Sequence, residues 1–528
     1  MKLRPAENLT EEEVKSGLNL VIKDGLASEA MATLTGGAFL VAMALHLGAS
    51  NFQIGLLAAL PTIGNIFQLV AIYFVHKYAN RRAITVISSF FARFPLFVIG
   101  ALPFLFSAGT SLNVLIFLLF FHYFFGSISG SSWTSWMKDL VPEKILGTFF
   151  SHRSRLIQIL SVILSLVIAC ALDYIKVNYP GYELFSFSMM FILGGALGIF
   201  GIFLLIKTPE PKMVFVNETN IFRLFSNSLK DINFRNLIIF NSFWAFAINL
   251  AAPFFSVYLM KILYLPLSYI IALNILSQVT SILFIRVWGR YSDKYSNKTI
   301  IRICAPVYII CIFAWTFTTM PEQHAFTIPL LALIFLFNGI TTSGINQAIS
   351  NIGIKLAPKG EAMIYLSVKS MVTALFAAIA PIAGGFMADF FATHQFLWNI
   401  EWKSPEGSFI FKALELQQWD FFFVLAVILA IISMYKLSFV KEEGEVPKSV
   451  IIKELMSELK REWKAKTSME AWRWMFYRPM ALIPVMRNKI RPAWIENKMI
   501  TPSPAPPMQI IKEQEADEED DVWVLIED

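Results

Sequence analysis

Long apolar stretches, each ending in a short polar break, follow one another along most of the chain. A membrane-spanning helix needs roughly 20 predominantly apolar residues, and the sequence contains twelve stretches of about this size. They lie at about residues 19–47, 51–75, 83–106, 111–132, 155–177, 184–206, 236–263, 266–288, 299–320, 326–348, 362–391 and 420–438. The pattern predicts an all-α integral membrane protein with twelve transmembrane helices, here named TM1 to TM12.

The sequence also repeats itself at an interval of about 216 residues. The segment His76-Lys77-Tyr78-Ala79-Asn80 after TM2 returns as Asp293-Lys294-Tyr295-Ser296-Asn297 after TM8, and the same offset relates Asp173 to Asp389. Such repeats are typical of carriers built from two bundles of like topology. We therefore predict two pseudo-symmetric six-helix bundles with a cytoplasmic linker between them, at residues 19–206, 236–440 and 207–235 respectively.

Polar segments flank the two bundles. Residues 1–18 carry many charges and are predicted to form a cytoplasmic N-terminus. In residues 441–528, apolar positions recur at helical spacing between 448 and 478, which predicts an amphipathic helix lying on the membrane surface. The acidic segment that follows has the composition of a disordered tail, and nothing in it names a partner.

Composition and charge support a membrane protein without nucleic-acid function. Hydrophobic residues make up 56% of the chain and charged residues only 16%. The net charge of +6 comes from Lys and Arg dispersed over short loops rather than clustered on one face, which argues against nucleic acid as a partner. The basic residues fall in alternate loops, so the positive-inside rule predicts cytoplasmic N- and C-termini. We expect a multi-pass monomer in a bacterial inner (plasma) membrane, in contact with the lipid bilayer.

Two short loops carry a motif that resembles the signature of the major facilitator superfamily, which reads roughly Gly-x-x-x-Asp-[Arg/Lys]-x-Gly-[Arg/Lys]-[Arg/Lys]. The resemblance covers about residues 16–440 and implies the fold of that family, working by alternating access. It also implies a cytoplasmic gate in which charges hold helix ends together in one of two conformations. The basic residues alone are equally explained by membrane orientation. The gate candidates are His76, Lys77, Arg81, Arg82, Gly289, Asp293, Lys294 and Lys298.

Glycine placement separates this chain from drug antiporters of the family, which tend to carry a glycine-rich motif in helix 5. Residues 155–177 contain no glycine, whereas TM11 contains Ala380-Pro381-Ile382-Ala383-Gly384-Gly385. We predict that this segment and the glycines of TM6 (Gly194, Gly195, Gly198 and Gly201) are surfaces where helices pack closely.

Ionisable residues inside the bilayer mark functional candidates, because charge at that depth costs several kcal/mol unless it is paired or hydrated. Three such residues are expected at a similar depth in the membrane: Glu29 in TM1, Arg93 in TM3 and His122 in TM4. A mutual pairing of the three would allow protonation of the carboxylate to release the arginine, which couples proton movement to transport. A static ion pair that joins the helices is the alternative. Asp24, nearer the inner end of TM1, is grouped with these coupling and central-cavity candidates, with a gate or interface role favoured over solute binding.

The second half has amides where the first half has charges. Asn338 is the repeat counterpart of His122, and Asn249, Asn274 and Gln278 lie on TM7 and TM8. We predict that these side chains contribute hydrogen bonds to a solute cavity. Lys369 either attracts an anionic solute or extends to the cytoplasm. Asp173 and Asp389 lie at matching outer helix ends, which favours an interface or an outer gate.

Together these features predict a secondary active transporter that moves a small polar solute by proton-coupled symport. An efflux antiporter of the same fold and a non-transporting sensor or scaffold that signals through its tail remain as alternatives. We predict no enzymatic activity, because no cluster of His, Asp or Glu has catalytic or metal-binding spacing. No cofactor and no metal are expected, since the three cysteines lie inside predicted spans.

Overall fold

The computed structural model describes residues 5–7, 9–142, 145–212, 229–318, 326–358, 362–404, 407–417, 419–442, 444–446, 449, 454 and 457. The chain divides into a unit of residues 1–451 and a second unit of residues 452–528. The second unit falls almost wholly outside the described residues. The predicted amphipathic helix at 448–478 and the acidic tail therefore lie outside them too, apart from 449, 454 and 457.

The helices follow the predicted order. TM1 consists of Glu11–Thr35 and Gly37–His46, and TM2 consists of Asn51–Ile66 and Gln68–Tyr78. Each remaining span is one helix: TM3 Arg81–Leu105, TM4 Ala108–Leu140, TM5 Leu146–Asn178, TM6 Glu183–Lys207, TM7 Ile232–Lys261, TM8 Leu267–Lys294, TM9 Asn297–Ala314, TM10 Thr327–Leu356, TM11 Ala362–Phe391 and TM12 Trp419–Leu437. Short 3-10 helices occupy Pro180–Tyr182 and Trp315–Thr318.

Two of the spans are interrupted. Within the described residues, eleven helices are long and apolar enough to cross a membrane. TM2 is the twelfth span, and it is divided at Phe67, whose N–H bonds the Gly64 carbonyl at 3.0 Å in a tighter turn. TM1 is interrupted where Gly37 adopts a φ of 56°, a left-handed conformation that only glycine enters without steric cost. The prediction of an all-α fold with twelve spans is confirmed.

Several helices continue beyond the apolar stretches that predicted them. TM4 ends at Leu140 rather than near 132, and TM5 begins at Leu146 rather than near 155. Hydropathy locates only the apolar part of a helix, whereas backbone hydrogen bonding continues through polar turns until a breaking residue stops it. The added turns place polar side chains such as Asp139 and Arg153 on helices.

The long loop between TM11 and TM12 forms a β-hairpin, which the sequence analysis did not predict. Strands β1 (Gln395–Ser404) and β2 (Gly407–Gln417) pair antiparallel, with an irregularity between Trp398 and Asn399. Trp419 is the first residue of TM12, and its buried ring contacts Phe254 of TM7 and Phe422 of TM12.

The two six-helix bundles meet mainly along two helix pairs, TM2 with TM11 and TM5 with TM8, and TM7 makes smaller contacts with TM1 and TM2. TM2 and TM11 approach closely because glycines stand where side chains would collide. A Cβ on Gly55 would lie 2.1 Å from the Pro381 carbonyl oxygen, and one on Gly385 would lie 2.5 Å from that of Asn51. The predicted packing role of the TM11 glycines is confirmed, and small residues are the usual means of close helix contact in membranes.

The two ends of the bundle are named here by their features. The basic side carries the TM2–TM3 and TM8–TM9 turns and the ends of TM6 and TM12. The hairpin side carries β1 and β2 and the N-terminal ends of TM2 and TM8. By the positive-inside rule, the basic side is the one expected in the cytoplasm.

Candidate functional site

Charged and hydroxyl side chains line a cavity of about 240 Å³ inside the first bundle, the N-half cavity. TM1, TM3, TM4, TM5 and TM6 all contribute to its wall. The residues that matter for its chemistry are Asp24, Ser28, Thr85, Arg93, His122 and Arg153. Two arginines face one aspartate here, inside a bundle where unpaired charge is expensive.

Asp24 and Arg93 form the ion pair of this cavity. The Arg93 Nη2 lies 3.8 Å from Asp24 Oδ1, and only 8% of Arg93 and 4% of Asp24 are exposed. Arg93 also donates to Ser28 Oγ at 3.0 Å and to the Gly198 carbonyl. Glycine on TM6 makes room for the pair, since a Cβ on Gly201 would lie 2.7 Å from both Arg93 Nη1 and Asp24 Oδ1.

The ion-pair partner of Arg93 differs from the one that the sequence predicted. The expected mutual pairing of Glu29, Arg93 and His122 is not the arrangement found, because Asp24 takes the place of Glu29 beside the guanidinium. Asp24, which was grouped with the coupling candidates and interpreted as a gate or interface residue, is thus the ion-pair partner of Arg93. Helical geometry explains the exchange: Asp24 and Glu29 are five residues apart, so their side chains leave TM1 in different directions.

His122 lines the same cavity but binds the backbone. Its Nδ1 lies 2.7 Å from the Ala92 carbonyl oxygen. A carbonyl oxygen only accepts, so Nδ1 carries the hydrogen and donates it, which leaves Nε2 as the acceptor of the neutral ring. The bond ties TM4 to TM3 one residue before Arg93.

Arg153 is a member of this site that the sequence analysis missed. It was treated as a loop residue, but TM5 already begins at Leu146 and carries Arg153 into the wall of the cavity. Its guanidinium lies over the Trp133 ring, 4.8 Å from the centroid, and attracts both Asp24 and Glu29. The signal that could have revealed it is its repeat counterpart, Lys369, which had been placed inside TM11.

A larger cavity of about 580 Å³ lies between the two bundles, the central cavity. Its wall combines residues of TM1, TM2, TM4 and TM5 with residues of TM7 and TM8. Members from both halves include Glu29, Leu57, Tyr123, Ser161, Ser256 and Gln278. Glu29 is thus a residue of the space between the halves rather than of the N-half cavity.

A third cavity, the C-half cavity, lies inside the second bundle and has a volume of about 180 Å³. Asn274 and Asn338 face it, as the amide prediction required. It shares Ala252, Ser256 and Asn274 with the central cavity.

Two of the predicted cavity residues lie elsewhere. Asn249 lines none of the three cavities, and its amide donates to the Ala245 carbonyl of its own helix at 2.8 Å. Lys369 is 8% exposed and donates to the Ile349 carbonyl of TM10 at 3.0 Å. Membrane depth alone cannot give the rotation of a helix, so residues at one depth point to different surfaces.

On the basic side, Arg81 and Arg82 begin TM3 and bind the segment that follows TM6. The backbone N–H groups of both arginines donate to the Glu210 carboxylate, at 2.7 and 3.1 Å. The Arg81 side chain is 1% exposed and binds Glu210 and Asp139. These contacts, here the N-half clamp, join the ends of TM3, TM4 and TM6 within one bundle.

The second bundle contains the matching arrangement. The backbone N–H groups of Asn297 and Lys298, the first two residues of TM9 as Arg81 and Arg82 are of TM3, donate to Glu442 at 3.2 and 2.7 Å. The Lys298 side chain is 3% exposed and binds Glu445 and the Val440 carbonyl. We call this set the C-half clamp.

The remaining gate candidates lie around the two turns. Lys77 lies over the rings of Tyr73 and Tyr78, and Lys294 over that of Tyr295. A Cβ on Gly289 would lie 2.9 Å from Gln347 Nε2 on TM10. His76 and Asp293 lie in the last turns of TM2 and TM8, and their side chains are outside the described part of the structure.

Replacing Glu210 by Gln should destabilise the protein by about 2 kcal/mol, because a buried arginine loses a charged partner. The midpoint of thermal unfolding in detergent measures this. The matched control is Glu7→Gln, whose partner Lys212 forms an exposed pair that should not affect the midpoint. Equal midpoints for both variants would contradict the clamp.

The C-half clamp also predicts where the tail can be removed. The Val446 carbonyl accepts a bond from Thr299 Oγ1 at 3.2 Å, so the contacts of the bundle continue past the expected boundary at 440. A chain truncated after Ser449 should keep the unfolding midpoint of the full chain, whereas one truncated after Val440 should lose several degrees. Indistinguishable midpoints for the two truncations would contradict this.

On the hairpin side, two carboxylates join the bundles. Asp173 of TM5 accepts from the backbone N–H groups of Leu267 and Ser268 at the start of TM8, at 2.9 and 2.7 Å. Asp389 of TM11 accepts from those of Asn51 and Phe52 at the start of TM2, at 3.1 and 2.8 Å. Each carboxylate therefore caps a helix of the opposite bundle, where the N-terminal partial charge is positive. We call these contacts the hairpin-side latches.

Solved structures share this architecture. A mutant of the nucleoside transporter NupG superposes with a TM-score of 0.60 at 15% identity, covering 81% of this chain and 100% of that one. A D-xylose–proton symporter gives 0.57 at 14% identity, covering 82% and 100%. A bacterial homologue of the iron transporter ferroportin, in an inward-facing state, gives 0.56 at 13%, covering 82% and 100%. At such identities the likeness concerns the fold.

The family assignment comes from the sequence. No curated protein matches the chain. The model of the Major Facilitator Superfamily matches residues 25–328 and, in a second match, residues 245–486. Together the two matches span most of the chain, and each includes helices of both bundles. With this match and the twelve-span fold, the chain belongs to the Major Facilitator Superfamily of membrane transporters.

Proposed function

We propose that the protein carries a small polar solute across the membrane by alternating access, as a symporter driven by protons. The observation that carries the proposal is the buried pair of Asp24 and Arg93, which faces a cavity inside the N-terminal bundle. Transmembrane charges of this kind are characteristic of proton and ion pathways. The relatives with the same fold include a symporter of D-xylose and protons by name.

The proton acts through the charge of Asp24. When the carboxylate is neutralised, its attraction for Arg93 and Arg153 is lost, so the ties between TM1, TM3 and TM5 weaken. Arg153 is attracted to Glu29 as well as to Asp24. A proton on Asp24 therefore changes the surroundings of Glu29, which lines the central cavity.

His122 supplies a second group that exchanges protons within the cavity. Its Nε2 is the acceptor of the neutral ring, since Nδ1 donates to Ala92. Nε2 can therefore take up and release a proton during a transport cycle without loss of the bond from Nδ1 to Ala92.

The clamps and latches determine which groups of helices move together and where the two bundles separate. Each clamp holds the helix ends of one bundle together, which favours movement of a bundle as a rigid body. On the hairpin side, the latches contribute four backbone bonds to two carboxylates between the two bundles. Opening that side exchanges these bonds for water, and in our proposal this opening alternates with opening of the basic side.

Uptake into vesicles reconstituted with the purified full chain tests the proposal. We expect a neutral sugar or nucleoside to accumulate when the outside is made acidic, and a protonophore to abolish the accumulation. Glu29→Gln should slow the uptake, because it removes a central-cavity charge that attracts Arg153. Accumulation that persists with the protonophore would contradict proton symport. Export of solute from the vesicles, driven by protons that enter them, would instead establish the antiporter. Absence of flux for every solute would favour the sensor.

A further inference from the structure

The C-half cavity differs from the N-half cavity in position and in chemistry: of its wall, only Tyr308 and Asn338 stand at repeat positions of N-half cavity residues, Ala92 and His122. TM7, TM9 and TM10 line it where TM1, TM3 and TM4 line the other. The repeat positions of Asp24 and Arg93 hold the uncharged Phe240 and Ile309, which lie outside the described wall of this cavity. All the described residues in its wall are uncharged. A charged solute would lose its hydration there without gaining a counter-charge.

Aromatic rings form a flat part of the wall. The rings of Phe255 and Trp315 stack with centroids 4.4 Å apart and planes 16° from parallel, and Phe335 packs edge-on against Trp315 at 5.9 Å. Trp315 and Tyr308 are almost fully buried, so their positions are fixed by packing. A rigid aromatic surface of this kind suits the apolar face of a ring.

Hydrogen-bonding groups face the same space without partners. The Asn338 Oδ1 is buried and has no hydrogen-bond partner among the described residues. Asn274 donates its amide to the Ile270 carbonyl at 3.0 Å, which leaves its oxygen to accept a bond. An unmade bond to a buried acceptor costs about 1–3 kcal/mol, and a hydroxyl group of a solute would supply the missing donor.

We propose that the C-half cavity binds a neutral hydroxylated ring, a glycosyl ring that is either a free sugar or part of a nucleoside. The ring enters from the central cavity, which shares Ala252, Ser256 and Asn274 with this site. Its apolar face lies against the Phe255 and Trp315 pair, and its hydroxyls donate to Asn338 and Asn274. This assignment rests on the proposed transport of a small polar solute and names its class.

Equilibrium binding of radiolabelled D-glucose, D-xylose and uridine to the purified full chain tests the site, with the acyclic polyol sorbitol as a mismatched solute. We expect at least one cyclic solute to bind and sorbitol not to bind. Asn338→Ala should weaken binding by about tenfold or more, as expected for one lost hydrogen bond. The matched control is Asn249→Ala, an amide of the same bundle that lines none of the cavities, and it should bind normally.

Binding of a free sugar or of uridine alone identifies the source of the ring, and either supports the proposal. Failure of all three cyclic solutes to bind, or equal effects of the two asparagine variants, would overturn it. The proposed function can fail independently of this site. If Asn338→Ala weakens binding but uptake does not depend on a proton gradient, the solute site is supported and proton coupling is contradicted. If an acyclic solute is taken up in response to a proton gradient and Asn338→Ala does not affect that uptake, proton coupling is supported and the solute site is contradicted.

Discussion

Asp24→Asn should abolish proton-driven accumulation of the solute while leaving solute exchange intact. In vesicles with an acidic exterior, the variant should equilibrate its solute but not concentrate it. When the vesicles are preloaded with unlabelled solute and no gradient is imposed, labelled solute should still enter at a rate within about twofold of the original protein. Uptake of labelled solute under the two conditions is the measurement.

The physical reason is that asparagine has the shape of a protonated aspartate but cannot bind or release a proton. The variant therefore resembles one protonation state of the N-half cavity permanently. Arg93 keeps its bonds to Ser28 and Gly198, so the helix packing has support without the carboxylate. Exchange of solute requires the bundles to move with solute bound, whereas accumulation requires the proton to be released on the other side.

The matched control is Glu183→Gln, which removes a carboxylate that pairs with His46 at 3.5 Å outside the three cavities. We expect it to accumulate solute normally. An Asp24→Asn variant that still concentrates solute would exclude Asp24 as the coupling group. A variant that loses exchange as well, with an unchanged unfolding midpoint, would assign Asp24 to solute binding or conformational change instead.

The double variant Asp173→Asn and Asp389→Asn should shift the protein towards a form open on the hairpin side. Each carboxylate accepts two backbone bonds across the bundles, and an amide retains one acceptor but no charge. Loss of a helix cap of this kind costs about 1 kcal/mol at a solvated surface. The two changes together amount to about 2 kcal/mol, which is a roughly thirtyfold shift in the conformational equilibrium.

Spin labels on the exposed Tyr179 and Tyr264 positions report this shift, since these residues lie on the hairpin side in different bundles. In a background that lacks Cys170, Cys304 and Cys311, the double variant should populate longer distances between the labels. Asp231→Asn is the control, because Asp231 caps TM7 from within its own bundle. Unchanged distances in the double variant would show that the latches do not hold the bundles together.

Much of the fold follows from local sequence properties. Twelve apolar stretches and the repeat predicted two bundles, because a bilayer requires each apolar segment to satisfy its backbone internally as a helix. The hairpin at Gln395–Gln417 was missed because the search for apolar spans assigned no structure to the residues between TM11 and TM12. Its signal was the turn around Pro405 and Gly407 between runs rich in aromatic and β-branched residues.

The site was predicted less completely, since depth along a helix is readable from sequence but rotation is not. Arg93 and His122 were correctly placed near each other, yet Asp24 and not Glu29 pairs with Arg93. Glu210 and Glu442 were missed because the hairpin lengthens the second half, so the two glutamates do not share the repeat offset. Their positions after TM6 and TM12 could have revealed them. Asp173 and Asp389 were found because the repeat offset relates the two carboxylates to each other, as it also relates the two helix starts that they cap.

The central claim is that the charged N-half cavity couples the proton and the uncharged C-half cavity binds the solute. The ratio of protons to solute molecules entering vesicles, recorded with a pH electrode and labelled solute, tests it directly in two variants. Asn338→Ala should need about tenfold more solute to reach half-maximal entry but keep the ratio of the original protein. Asp24→Asn should bind solute normally with a ratio of zero. An altered ratio in Asn338→Ala, or an unaltered one in Asp24→Asn, would contradict the division of roles between the two halves.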